Sequence, residues 1–147
     1  METKYFDDFE TGETITTNGR TITEADQLNY AALSGNYDPI HLDAERMADS
    51  PFGERLVYGY LVLNVMEGQK VQTGVIEDSV IAFYGIDEAR FVEPVAIGDT
   101  IHTELTVLDL EPKDEDSGVV VLEETAINQT DDAVVVAETR TLVERTP

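Results

Sequence analysis

The chain has 147 residues, the length of one domain, and its hydrophobic fraction of 41% is that of a folded protein rather than a disordered one. Its 31 acidic residues against 9 basic ones give a formal net charge of -22, which excludes the basic stripe that a nucleic acid needs. No cysteine is present, which excludes disulfides, thiolate nucleophiles and thiolate metal sites.

The N-terminal stretch M-E-T-K-Y-F-D-D-F-E lacks the basic-then-apolar pattern of a signal peptide. Residues 14–23 carry β-branched side chains around Asn18-Gly19 and predict a short strand or ribbon. Thr23 and Asp26 form an imperfect capping box, which predicts a helix over 24–33 stopped by Ser34-Gly35. The next segment reads S-G-N-Y-D-P-I-H-L-D, and Pro39 makes it an ordered turn or extended loop. A short helix follows over 41–48, with Asp43 near its start. Residues 56–71 are the most apolar stretch and predict a helix apolar nearly all round, hence buried. Strands are predicted over 79–91, 99–111, 118–128 and 133–144. Pro94, Gly98-Asp99, residues 114–118 and Thr130-Asp131-Asp132 supply the turns.

One buried helix followed by an antiparallel meander closes compactly as a sheet wrapped around that helix, an α+β layout. No linker, repeat or low-complexity run divides the chain, so a single domain over 1–147 is expected. The carboxylates are scattered between apolar segments rather than gathered in a tail, and lysine is the minority among the basic residues. Such a surface suits high salt, where screening removes self-repulsion, and points to a halophilic organism, an archaeon above all. No apolar run reaches the roughly 18 residues of a membrane helix, and a cytoplasmic protein is expected.

The loop carries the chemistry. Asn36, Asp38 and His41 gather an amide, a carboxylate and an imidazole around Pro39, a set able to hold a water and move its proton. The same residue types also cap helices and close turns, and Ser34, Asn36 and Asp38 have that plainer use open to them. Gly59 inside an apolar helix costs about 1 kcal/mol relative to alanine. It needs a reason, either close packing against a strand or a backbone N–H left open for a ligand. His102, within a predicted strand, is given no role. Two histidines without suitable neighbours make no metal site.

The run S-G-N-Y-D-P-I-H-L-D, then Phe52-Gly53, V-Y-G-Y at Val57 to Tyr60 and R-F-V-E-P-V-A-I-G-D-T at Arg90 to Thr100, resembles the MaoC-like dehydratase family. That family includes the (R)-specific enoyl-CoA hydratases. The resemblance implies a hotdog fold, with the long helix as the sausage and the antiparallel sheet as the bun. It implies a homodimer or dimer of dimers that binds acyl-CoA at the subunit interface. It implies hydration of a trans-2-enoyl-CoA to an (R)-3-hydroxyacyl-CoA, with coenzyme A as part of the substrate and no separate cofactor.

The family pattern in the loop is D-x-N-P-x-H. Here Asn36 stands at the aspartate position and Asp38 at the asparagine position, while Pro39 and His41 match. Asp38 and His41 are then expected to hold the water, with Asn36 orienting it. Gly59 matches the family glycine whose N–H meets the thioester oxygen. Tyr58, in place of the family histidine, and Ser34 join it on the substrate side. Arg46, Arg55 and Arg90 are open to CoA phosphates or to surface carboxylates. Two other functions stay open: a hotdog thioesterase using Glu67 and Asn64, and a non-catalytic acyl-CoA-binding subunit of a heteromeric dehydratase.

Overall fold

The computed structural model describes residues 1–146. After a 3₁₀ turn at Phe6–Asp8 come β1 (Thr14–Thr16) and β2 (Arg20–Thr21), then helices α1 (Glu24–Ser34), α2 (Pro39–Leu42), α3 (Ala44–Ala48) and α4 (Gly59–Gln72). Four long strands follow: β3 (Val80–Phe91), β4 (Thr100–Pro112), β5 (Ser117–Ile127) and β6 (Ala133–Glu144). They form one antiparallel sheet in the order β1-β4-β5-β6-β3, with β2 also paired to β4. The sheet wraps α4, and the architecture is the hotdog fold.

The strand order corrects one expectation. β4, β5 and β6 form a meander, but β3 pairs with β6 at the far edge instead of with β4. The residues between β3 and β4 explain this. Val92 N–H donates to the Val134 carbonyl, and the Val95 carbonyl accepts from Val57 N–H at 2.8 Å. Pro94 and this cross-pairing make the segment a crossover rather than a hairpin. β1 and β2 likewise do not pair with each other; both lie along β4, so residues 14–21 act as one interrupted edge strand.

α4 starts later than the apolar run suggests, because Leu56 bridges to Ala96 and Val57 bonds to Val95 in extended form. It is not apolar all round either. Leu61, Val62, Val65 and Met66 face the sheet and are buried, while Tyr60, Asn64 and Val71 face outward. Opposite them, alternate residues of β4 (Ile101, Thr103, Leu105 and Val107) point inward. Each fully buried Val, Leu or Met side chain contributes roughly 1.5–3 kcal/mol.

A buried ion pair lies inside this core. Lys70 is fully buried on α4, with its ammonium 2.8 Å from Glu124 and 2.6 Å from Glu67. The Thr139 hydroxyl donates to the same Glu124 oxygen. Burial disfavours the ammonium, but the two carboxylates outweigh it and hold the Lys70 pKa above its ordinary value.

Candidate functional site

α1 ends in a left-handed Gly35 (φ +71°), which turns the chain sharply into the loop. The Thr23–Asp26 capping box at its start forms in both directions, at 3.1 and 2.9 Å. Ser34 Oγ–H donates to the Tyr30 carbonyl, which satisfies the last turn. Asn36 Oδ1 accepts from Asp38 N–H at 3.1 Å, and Asp38 Oδ1 accepts from Ile40 N–H at 3.0 Å. Pro39 opens α2 with its φ already set, and the single turn presents His41. Asp43 separates α2 from α3 and caps the latter through Arg46 N–H.

His41 is buried, and its Nδ1 lies 2.8 Å from the Leu56 carbonyl. A carbonyl only accepts, so Nδ1 carries a proton, and in the neutral ring Nε2 keeps its lone pair. The imidazole stacks on the Tyr58 ring, with centroids 3.8 Å apart and planes at 26°. The Tyr30 ring packs against Tyr58 as well, tilted at 49° with centroids 4.8 Å apart. The Tyr58 hydroxyl donates to the Asn36 carbonyl. Burial, with the neighbouring Tyr37, Tyr30 and Asp38, raises the Tyr58 pKa, so the group stays a neutral donor.

These residues line a cavity of about 1030 Å³. Ser34, Asn36, His41, Tyr58 and Gly59 all border it. Leu56, Val57, Val62, Leu63, Phe91 and Val95 supply much of its apolar wall. Gly59 is the first residue of α4, and no side chain caps that end, so the first N–H groups are open at the positive end of the helix. The glycine has a packing reason too: a Cβ there would come within 2.6 Å of the Phe91 ring. Close packing against β3 is therefore a sufficient reason for glycine at this position, and its N–H is left without a side-chain cap.

Asp38 is the exception. It does not line the cavity, and its carboxylate is spent on the N-cap of α2. The expected convergence of Asp38 and His41 on one cavity is not found; Asn36 is the loop residue that lines the cavity with His41. The reason is local. A short polar residue directly before Pro39 has the first open N–H of the turn within reach.

The thioesterase candidates lie elsewhere. Asn64 Nδ2 donates to the Tyr60 carbonyl, and Glu67 pairs with Lys70; neither borders the cavity. Arg55 pairs with Glu24 and Arg90 with Glu88, while Arg46 makes no ion pair among the described residues. None of the three lines the cavity, whose charged lining residue is Glu93. His102 pairs across β4 and β5 opposite Ile127, outside the cavity.

Sequence reasoning missed Gln27. It is fully buried on α1, and its Nε2 donates to the Leu56 carbonyl at 2.9 Å and the His41 carbonyl at 3.1 Å. Its spacing of one helical turn from the buried Ala31 was the available signal.

The family model described as MaoC like domain matches residues 8–129. Protein MaoC from Klebsiella aerogenes is 46% identical over 103 residues, 70% of this chain and 30% of that protein, so the chain spans under a third of that relative. A solved structure described as a monoamine oxidase regulatory protein from Archaeoglobus fulgidus superposes with a TM-score of 0.91 at 36% identity, covering 100% of this chain and 98% of that one. An unliganded R-hydratase from Pseudomonas aeruginosa superposes with a TM-score of 0.81 at 28% identity, covering 97% and 86%.

Proposed function

The chain belongs to the MaoC-like domain family, and from that premise we propose that it hydrates trans-2-enoyl-CoA thioesters reversibly to (R)-3-hydroxyacyl-CoA. The observation that carries this reading is the His41 imidazole, held by Leu56 in the tautomer that leaves Nε2 basic, in an apolar cavity beside an uncapped helix N-terminus.

In this mechanism His41 Nε2 takes a proton from a water, and the water oxygen adds to C3. The C2–C3 electrons move toward the thioester oxygen, which Gly59 N–H holds as it gains charge. The imidazolium then returns a proton to C2, and the imidazole is neutral again. Asn36 has no useful basicity; its free Nδ2 orients the water. A well-placed acid–base group contributes on the order of a hundred- to ten-thousand-fold. An oxyanion donor adds roughly 3–4 kcal/mol.

Cavity chemistry favours an uncharged acyl chain over a dicarboxylic one such as mesaconyl. No lysine or arginine lines the wall, and a terminal carboxylate would meet apolar side chains or Glu93. The long edge strand β3 exposes Val80, Ile81, Phe83, Tyr84 and Ile86, which supports pairing with a second copy. Because Ile86, Ala89 and Phe91 of β3 also border the cavity, that pairing would put the thioester near the interface. The acidic surface supports work in concentrated salt, and we read the protein as cytoplasmic.

A second reading rests on the outward Asp38. Without a carboxylate beside His41, the chain would bind acyl-CoA and leave turnover to a partner subunit. The deciding assay follows enoyl absorbance with purified protein in molar KCl, offering crotonyl-CoA and mesaconyl-CoA separately. Hydration of crotonyl-CoA to the (R) product is expected. Tight binding of crotonyl-CoA with no loss of absorbance would establish the second reading instead.

A further inference from the structure

Gln27 lies entirely out of solvent on α1, yet it carries an amide where an aliphatic side chain would fill the space. Both hydrogens of its Nε2 are committed. One goes to the Leu56 carbonyl at 2.9 Å and the other to the His41 carbonyl at 3.1 Å. Both carbonyls are tied to the imidazole: one belongs to His41 itself, and the other accepts from its Nδ1–H at 2.8 Å.

We propose that Gln27 is a positioning residue, which fixes the tautomer and the aim of His41 by clamping the backbone carbonyls of His41 and Leu56. The proposal deepens the hydratase reading, since it rests on His41 being the base. A carbonyl oxygen has two lone pairs, and on Leu56 one serves His41 and the other serves Gln27. With both occupied, the carbonyl cannot swing toward another donor, and the imidazole keeps one orientation. The His41 end is tied by the second hydrogen of the same amide, so ring and acceptor are referenced to one rigid point on α1.

The amide's own oxygen supports this. Gln27 Oε1 is buried with no hydrogen-bond partner among the described residues. Rotating the amide by half a turn would not cure that, because Oε1 would then face two carbonyl oxygens. The side chain is oriented by what the loop needs, at the expense of its own satisfaction.

The test uses the full chain and two variants of near-native bulk. Gln27→Met removes both donors, while Gln27→Glu keeps the shape and sets acceptor oxygens against the two carbonyls. Nitrogen-15 NMR of the imidazoles, in buffer alkaline enough for neutral rings, reads the tautomer directly, with His102 as the internal reference. The native protein should show His41 protonated at Nδ1 alone. Both variants should shift it toward the Nε2-protonated form, and kcat for crotonyl-CoA should fall by about tenfold in Gln27→Met and further in Gln27→Glu, with KM unchanged within about twofold.

A purely structural Gln27 would lower Tm in both variants and leave tautomer and kcat at native values, which overturns the proposal. So does an Nε2-protonated His41 in the native protein, a result that needs no variant to fold. If the native protein shows no hydration, the tautomer measurement still tests Gln27, and the two failures stay separate.

Discussion

Asp38 caps the helical turn that carries His41: its Oδ1 accepts from Ile40 N–H at 3.0 Å, and the carboxylate stays out of the cavity that the imidazole lines. The two residues therefore separate on mutation. His41→Ala should reduce crotonyl-CoA hydration at least about a hundredfold. Asp38→Asn keeps a capping oxygen and should change the rate by less than about threefold, with a Tm within a few degrees of native. A large rate loss in Asp38→Asn with an unchanged Tm would return the carboxylate to the mechanism.

Asn36 holds the place beside His41 that a second proton-handling group would need. Its side-chain oxygen bonds Asp38 N–H, a contact a carboxylate also makes, so Asn36→Asp should fold without rearrangement. A carboxylate there would assist the imidazole in moving the water's proton, and kcat should rise by about tenfold or more. Progress curves on matched preparations measure it. An unchanged kcat would mean that His41 works without a second proton-handling group, and a lower one that the Asn36 amide is needed to orient the water.

The outline of the fold was legible because it rests on periodicity. The apolar run that becomes α4 and the alternating strands place those elements within a few residues, and the capping box at Thr23 marks the start of α1. Pairing order was not legible, since nothing local in β3 says that its partner is β6 rather than β4. The site divides the same way. His41, Asn36 and Gly59 follow from a linear motif, but which of Asn36 and Asp38 turns inward depends on a single cap before Pro39. Gln27 escaped because a lone polar residue on a helix reads as solvated until its neighbours in space are known.

Gly59 packs against Phe91 and, in the proposed mechanism, offers its N–H to the thioester oxygen; a pair of variants separates the two roles. A Cβ at this position would sit 2.6 and 2.9 Å from Phe91 Cε1 and Cζ. Gly59→Ala keeps the backbone N–H, so its cost should come through the displaced ring, about 1–3 kcal/mol of overpacking and roughly a tenfold loss in kcat. Phe91 is about half exposed (53%), and Phe91→Ala should be tolerated. In that background Gly59→Ala should regain most of its kcat. A recovered Tm without a recovered kcat would show instead that the new methyl group collides with the substrate.

β3 is paired on one side only, and it exposes Ile81, Phe83 and Ile86, a strand too apolar to be left in water along a whole edge. A two-fold pairing of β3 with β3 would cover it symmetrically. Ile86→Lys would place the same charge on both copies near each other, so the native protein should sediment as a dimer at micromolar concentration and the variant as a monomer. Since Ile86 also borders the cavity, KM for crotonyl-CoA should rise in the same variant. Monomeric native protein with full activity would remove the second copy from the picture.

The net charge of -22 sets the response to salt. Bridges such as Lys4–Glu13, Arg145–Asp7 and those of Arg140 to Asp87 and Glu111 are solvent-exposed to varying degrees, and pairs of this kind are worth about 0–1 kcal/mol each. Salt weakens them, which lowers stability slightly. It also screens repulsion among the carboxylates left unpaired, a far larger number, since 31 acids face 9 bases. Near 1 M salt the screening length is about 3 Å, shorter than most spacings between surface carboxylates, so the relief should win. Tm should climb by about 10 °C between roughly 0.1 and 2 M KCl. Sucrose at a concentration giving the same osmotic effect should reproduce only a small part of that rise. A Tm that falls with KCl would mean that the ion pairs, rather than the unpaired carboxylates, govern the surface.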